Sequence, residues 1–409
     1  MKKADTVIIG GGAAGLMAGI FSARGGNDTI VVEKNKRPGR KLYITGKGRC
    51  NITNNCDISG VIANTPTGGR FLYSALNNFS PSDTIAFFEE NGLPLKTERG
   101  KRVFPVSDKA SDVVDTLVSL CESSGCTILQ EEVKGINTLD GRISGVKLSD
   151  GSGIECRRVV IATGGKSYPL TGSTGDGYAF ARELGHTVTP LVPSLVPVET
   201  VEHFGYDADG LLLKNVGVVV TDTSKGRKIY TEQGEVELKR WGLSGAVIRS
   251  ASAHMRPMEK GRYRVDIDLK PALSEQKLDQ RLLREITAAN KAPFREVLRT
   301  LMPSALIEDF IRLSTVSGDK KCCEVTKKER SAVLALLKCI SRTVSSLRPI
   351  EEAIVTSGGV SIKEIDPKTM QSKLVGGLYF AGEVIDYDCY TGGFNLQAAF
   401  STGVLAAIS

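Results

Sequence analysis

The sequence predicts an α/β fold: one layered unit assembled from both ends of the chain, interrupted by a β-rich insert that carries a helical subdomain. Three observations lead there. The chain opens with the apolar run Val7-Ile8-Ile9, the turn Gly10-Gly11-Gly12-Ala13-Ala14-Gly15, a helix-forming stretch from Leu16 to Phe21, and a second run Ile30-Val31-Val32 ending in Glu33. From about Leu191 the character changes, with Pro190, Pro193 and Pro197 punctuating the chain and alternating apolar patterns taking over. From Ala353 strand patterns return, and Leu378-Tyr379-Phe380 runs into Gly382-Glu383.

The opening segment reads as strand, Gly-x-Gly-x-x-Gly turn, helix, second strand and terminal carboxylate, which is a Rossmann-like dinucleotide unit. Each part has a physical task. Glycines let the backbone approach a pyrophosphate, the helix start offers N–H groups and a positive dipole end, and Glu33 can accept hydrogen bonds from a ribose. A Gly-rich turn alone is a weak signal. The flanking strand and helix, with an acid about 20 residues on, make this one specific.

With 409 residues, of which 41% are hydrophobic, the chain can bury a large core and form two or three domains. The Val7 to Phe21 stretch is rich in Gly and Ala, too short for a bilayer and not preceded by a long basic region. Neither a signal peptide nor a membrane helix is expected, and the cytoplasm is the expected compartment. Nine cysteines (50, 56, 121, 126, 156, 322, 323, 339 and 389), no Cys-x-x-Cys and three histidines point to reduced thiols and no metal site. Cys121 and Cys126 have the spacing of a flavoprotein redox pair, but lie well removed from the nucleotide turn and read as core or turn residues.

The net charge of +7 raises a nucleic-acid reading. The one dense basic run, Lys34 to Arg49, follows Glu33 directly and alternates with Gly39, Gly46 and Gly48. Beside a dinucleotide, those cations face phosphates or an anionic substrate rather than a duplex. A small-molecule substrate is expected, with no stable nucleic-acid complex and no membrane partner.

Along the chain, Thr45 to Asn54 reads as a polar loop, followed by helices over about 83–91 and 111–123. Val133, Ile136, Ile143, Val146 and Leu148, with turns at Asp140-Gly141 and Asp150-Gly151, suggest a small meander leading to the strand 158–161 and the pair Gly164-Gly165. In the insert, β segments are expected at 216–221, 227–231, 234–238 and 262–269, and helices from Ser274 to about Val344, where Leu278, Leu282, Leu283 and Ile286 have helical spacing. The expected division is 1–190 and 345–409 for the nucleotide domain, 191–270 for its β-rich insert and 271–344 for the helical subdomain.

The terminal segment selects the dinucleotide. Glu383 follows a strand, and Tyr390-Thr391-Gly392-Gly393-Phe394-Asn395-Leu396-Gln397 opens an apolar helix whose first N–H groups can face a ligand. An extended flavin dinucleotide needs both ends: a carboxylate near its pyrophosphate, and a positive helix end for a ring carbonyl that gains charge on reduction.

On these stretches, together with Pro38-Gly39-Arg40-Lys41, Gly48-Arg49-Cys50-Asn51-Ile52-Thr53-Asn54, Ala162-Thr163-Gly164-Gly165, Gly172-Ser173-Thr174-Gly175-Asp176-Gly177 and Val355 to Val360, the chain resembles the BaiN/YhiN-like flavoproteins. The resemblance runs from end to end. It implies FAD, an FAD domain built from both chain ends, and an inserted β-barrel-like and helical region. It implies cofactor contacts at Gly10, Gly12, Ala13, Ala14, Gly15, Glu33, Lys34, Arg40 and Lys41, and at Gly48, Arg49, Cys50, Asn51 and Thr53. Val133, Thr163, Gly164, Gly165, Gly382, Glu383, Gly392, Gly393, Phe394, Asn395 and Leu396 complete the set. The Trp241-Gly242-Leu243-Ser244-Gly245 stretch departs from the family, with Lys239-Arg240 where Thr-His is expected and Ala246 where Pro is expected.

Tyr168, Tyr387, Asp388 and Tyr390 adjoin the proposed flavin loops and are the candidates to supply a proton or orient a carbonyl. The resemblance implies either NAD(P)H-linked reduction of a C=C bond conjugated to a ketone, as in 3-oxo bile-acid intermediates, or oxidation of a small amine such as aminoacetone. The first is favoured. A flavin-containing nucleic-acid-binding protein is a third reading. No second complete Gly-x-Gly-x-x-Gly unit occurs, so NAD(P)H would dock transiently.

Overall fold

The computed structural model describes residues 2–409. They form two compact units, one of residues 2–194 and 350–409, the other of residues 195–349.

The first unit is organised by a five-stranded parallel sheet in the order Leu378–Phe380, Arg158–Ile161, Thr6–Ile9, Thr29–Glu33, Thr127–Gln130. Its strands read as continuous β-branched and apolar runs because both faces are covered. Val7, Ile8, Val31, Val159, Val160 and Phe380 are all fully buried. The helix Ala13–Arg24 follows the first strand, and the apolar C-terminal helix Phe394–Ile408 packs against it. A smaller sheet joins Lys2–Lys3, Gly153–Glu155, Arg142–Leu148 and Val133–Leu139, so the meander is present and gains a parallel edge strand. Helices Pro81–Glu90, opened by a Ser80/Asp83 capping box, and Ala110–Ser123 stand where the periodicity places them.

The second unit is a closed six-stranded barrel of Val198–Thr200, Gly242–Ser244, Arg227–Lys239, Leu212–Asp222, Tyr263–Asp268 and Ile340–Leu347. Helices Glu275–Ala289, Phe294–Leu301, Ile307–Ser314 and Lys327–Lys338 precede the last strand. Leu278, Leu282 and Ile286 bury one stripe of the first of these, each burial contributing about 1.5–3 kcal/mol. Two expectations are corrected here. The helical region ends at Lys338, and 340–347 is the strand that closes the barrel, because Ile340, Arg342 and Val344 alternate inward with period two. The segments 227–231 and 234–238 are one strand, in which Gly234 permits a close approach: a Cβ there would lie 2.6 Å from Val247 Cγ2.

Candidate functional site

The first strand ends at Ile9, and Gly10 turns the chain with φ of 103°, a conformation that favours glycine. A Cβ on Gly10 would lie 2.7 Å from Ala162 O, and one on Gly15 would lie 1.8 Å from Gly10 O, so helix and strand approach as closely as only glycine permits. Gly12, by contrast, has nothing within 4 Å of where a Cβ would stand. It lines a cavity shared with Ala13, Ala14, Glu33, Lys41, Glu383 and Tyr387.

Of the acidic residues that line that cavity, Glu33 ends and Glu383 follows a strand of the central sheet. Glu33 ends its strand and is fixed by neutral donors: Oε2 accepts the Gly11 N–H at 2.7 Å, and Oε1 accepts the Asn35 N–H at 2.8 Å and Asn35 Nδ2 at 2.6 Å. Glu383 follows the strand Leu378–Phe380 and is fixed by a cation: Oε2 accepts Lys41 Nζ at 2.6 Å, while Oε1 accepts the Thr356 N–H at 2.8 Å and the Ser167 hydroxyl at 3.2 Å. Lys41 also donates to Ser167 Oγ at 2.7 Å. Close by, Lys34 Nζ donates to Thr174 Oγ1 and Asp176 Oδ2, each at 2.5 Å.

The cavity contains buried polar atoms that nothing in the described residues satisfies. The Tyr387 side chain is buried, and its hydroxyl has no hydrogen-bond partner. The neighbouring Thr402 hydroxyl gives its proton to Ala398 O at 2.7 Å and accepts the Gly382 N–H at 2.9 Å. Burial holds the Tyr387 phenol well above the ordinary tyrosine range, with Cys389 adding to the effect. Thr163 Oγ1, also at the cavity, is likewise buried without a partner. An unsatisfied buried polar atom costs about 1–3 kcal/mol, and a ligand in the cavity would give these two hydroxyls a partner. With the open Gly12 cradle and two strand-end carboxylates, the residues present fit a dinucleotide.

Of the residues expected at the cofactor, Gly10, Gly12, Ala13, Ala14, Glu33, Lys34, Arg40, Lys41, Val133, Thr163, Gly164, Gly382, Glu383, Asn395 and Leu396 line the cavity. Asn395 uses its side chain elsewhere, donating to Cys389 O and Tyr390 O and accepting the Cys389 N–H. The others stand behind it or away from it. Gly15 backs onto Gly10, Gly165 onto Thr356 and Glu383, and Gly393 onto Thr53, while the Gly392 carbonyl accepts Asn54 Nδ2 at 3.1 Å and Phe394 is buried. Thr53 is fully buried and donates to Gln397 Oε1 at 2.6 Å. Gly48 ends the short turn Thr45–Gly48, and the buried Asn51 Oδ1 has no partner among the described residues. Arg49 turns to Glu98 and Asp108 and lies 4.1 Å over the Phe104 ring, and Cys50 is a core thiol that burial pushes up to about 12.

Among the candidate proton donors only Tyr387 lines the cavity. Tyr168 stands outside it in a left-handed conformation with φ of 53°. Asp388 is buried and accepts from Ser194 Oγ at 2.6 Å and Ser357 Oγ at 3.0 Å, and Tyr390 packs against the core. Sequence reasoning missed Asn35, which orients Glu33, and Asp176, which pairs with Lys34. Asp176 opens the helix Asp176–Glu183 after a glycine turn, a legible signal; Asn35 carries none.

Comparison with known proteins bears on the family and the fold. The family model described as "HI0933-like protein Rossmann domain" matches residues 4–409. The chain is 31% identical over 420 residues to a 3-dehydro-bile acid delta(4,6)-reductase of Clostridium scindens, covering 98% of this chain and 97% of that protein. It is 30% identical over 419 residues to a ribosomal RNA dihydrouridine synthase of Haemophilus influenzae, covering 100% and 98% respectively. Among solved structures, a 3-ketosteroid delta1-dehydrogenase of Sterolibacterium denitrificans shares the fold, with a TM-score of 0.54 at 13% identity over 100% of this chain and 99% of that one. Among the described residues no helix is long and apolar enough to cross a membrane. The chain belongs to the HI0933-like Rossmann family, the BaiN/YhiN-like group of flavoprotein oxidoreductases.

Proposed function

We propose that this protein holds FAD in the cavity of its first unit and catalyses NAD(P)H-linked reduction of a C=C bond conjugated to a carbonyl, in a 3-oxo steroid, bile-acid-like or other enone substrate. The observation that carries this reading is the Tyr387 phenol, buried at the cavity with no partner for its hydroxyl. When bound, FAD supplies the two-electron redox chemistry. The amides at the start of helix Ala13–Arg24 and the open face of Gly12 receive the pyrophosphate. Glu33 retains acceptor capacity for ribose hydroxyls after its three present bonds. Lys41 offsets the negative charge that Glu383 would otherwise bring beside the pyrophosphate. Tyr387 keeps its proton at neutral pH and can donate to a carbonyl oxygen on which charge develops.

The names of the curated relatives support one bond chemistry. A bile-acid delta(4,6)-reductase reduces double bonds conjugated to a ketone, and making dihydrouridine reduces the uracil C5=C6 bond, conjugated to the C4 carbonyl. The second reading is therefore a uracil within RNA.

Anaerobic stopped-flow reduction of the FAD-loaded protein by NADH, NADPH and aminoacetone, each alone, tests the reading. Rapid bleaching by a nicotinamide with slow reoxidation in air is the expected result. Bleaching by the amine with fast peroxide release would replace it with an oxidase. Turnover of a uracil-containing RNA, falling steeply with salt, and none of a 3-oxo-Δ4 steroid would select the second substrate.

A further inference from the structure

The C-terminal helix Phe394–Ile408 starts at the cavity, where Asn395, Leu396 and Ala399 form part of the wall. Its N-cap is Gly393, with φ of 101° and no side-chain cap, and its first intrahelical bond is from Gln397 N–H to Gly393 O at 3.0 Å. The amides of Phe394, Asn395 and Leu396 thus precede the helical ladder, which puts the positive end of the helix beside the cavity wall that Asn395 and Leu396 form. Tyr387, buried and unpartnered at the same cavity, independently points to a ligand there.

Two side chains tie that helix end to other segments: Asn395, bonded to the Cys389 and Tyr390 backbone, and Gln397, which is fully buried. Its Oε1 accepts the Thr53 hydroxyl at 2.6 Å and the Thr84 hydroxyl at 2.8 Å. Its Nε2 donates to Phe79 O at 3.1 Å and to Ser401 Oγ at 3.0 Å, and Ser401 itself donates to Phe79 O at 2.6 Å. All four hydrogen-bonding positions of the amide are used, so its orientation is unique and an apolar or charged replacement cannot reproduce it. The bonds reach three separate segments: the Thr53–Asn54 strand, the helix Pro81–Glu90 and the carbonyl just before it. Between Gly393 and Thr53 the backbones touch, since a Cβ on Gly393 would lie 2.3 Å from Thr53 O.

We infer that Gln397 is a positioning residue that clamps the start of the C-terminal helix against Thr53 and Thr84, and through that helix end sets how strongly the site prefers reduced over oxidised FAD. This rests on the FAD reading above. A merely structural glutamine would change stability and leave that preference alone.

The test uses the full chain and three variants, Gln397→Met, Gln397→Glu and Thr84→Val, with FAD affinity measured by fluorescence titration and the midpoint potential by equilibration with a reference dye. Gln397→Met and Thr84→Val loosen the clamp, and Gln397→Glu adds a negative charge to the positive end. The expected result is a preference for reduced FAD at least tenfold weaker in Gln397→Glu, a shift of about 30 mV for a two-electron couple, with smaller shifts of the same sign in the other two. Thr84→Val keeps the inference testable should either Gln397 variant fail to fold. Melting temperatures that fall while every folded variant keeps the wild-type potential would overturn it. A wild-type chain that binds no FAD would overturn the reading beneath it, a result distinct from an unchanged potential.

Discussion

Glu33 and Glu383 stand at the ends of two strands of one sheet and face one cavity, yet they are held in opposite ways. Glu33 sits among neutral donors, the amides of Gly11 and Asn35 and the Asn35 side chain. Glu383 is pinned by the Lys41 cation, with Ser167 and the Thr356 amide in support. The difference teaches what each end of the cavity can accept. The Glu33 carboxylate is bonded to no cation and suits hydroxyl groups. The Glu383 end is close to neutral as a pair and suits a charged or charge-developing ligand.

The largest expected effect comes from breaking the charged side. Glu383→Leu leaves Lys41 half-buried without its counter-charge and removes the acceptor, and FAD affinity should fall about 100-fold or more, given roughly 1.5–3 kcal/mol per charged hydrogen bond. Lys41→Met should cost about 10- to 100-fold, because Glu383 then presents its charge uncompensated; isothermal titration with FAD reads both. On the neutral side, Glu33→Gln should weaken FAD by about 10-fold, and an equal or larger loss than at Glu383 would erase the contrast.

Acid should loosen the Glu383 side before the Glu33 side. The strand leading to Glu383 carries Phe380, whose ring packs edge-on at 4.9 Å against the buried His186, itself bonded to Ser372 Oγ at 2.8 Å. Burial holds the His186 imidazole below the ordinary histidine range, against the pull of Glu364. A histidine whose folded pKa is lowered contributes stability that is present above the unfolded value of about 6.5 and is lost as pH falls through the folded one. The melting temperature should therefore drop below about pH 6.5 by roughly 3 °C more in the wild type than in His186→Gln. Parallel curves for the two proteins would remove His186 from the explanation.

The smallest effect is expected at Arg49. It belongs to the same basic run as Lys41 but pairs with Glu98 and Asp108 and is not among the residues that line the cavity. Arg49→Met should change FAD affinity by less than about threefold, in keeping with the modest worth of exposed ion pairs. A loss comparable to that of Lys41→Met would place the guanidinium at the cofactor after all.

How much of this was legible in the sequence follows from the same contrast. The Glu33 end was readable because the strand, turn, helix and acid are contiguous, and local sequence spacing encodes their geometry. The Glu383 end was readable only in outline. Its carboxylate and the Gly392-Gly393 turn carry a local signature, but its partners Lys41, Ser167 and Thr356 lie hundreds of residues away in part, brought together by sheet order that no local pattern states. The same blindness explains Arg49, whose position in a basic, Gly-rich run resembles Lys41's while its guanidinium turns the other way. In the barrel, the start of the strand Ile340–Leu347 was read as helix because the strong stripe of Leu334 and Leu337 precedes it directly, and one long strand was read as the two segments 227–231 and 234–238 because the close approach of Gly234 to Val247 is not stated by any local pattern.

The most direct test of the central claim is an equilibrium titration of the purified full-length protein, stripped of any bound ligand, with FAD, followed by quenching of flavin fluorescence. Saturation at one FAD per chain, weakened strongly by Glu383→Leu and scarcely by Arg49→Met, is the result expected. A protein that takes up no FAD, or one whose uptake is indifferent to both carboxylates, would contradict it.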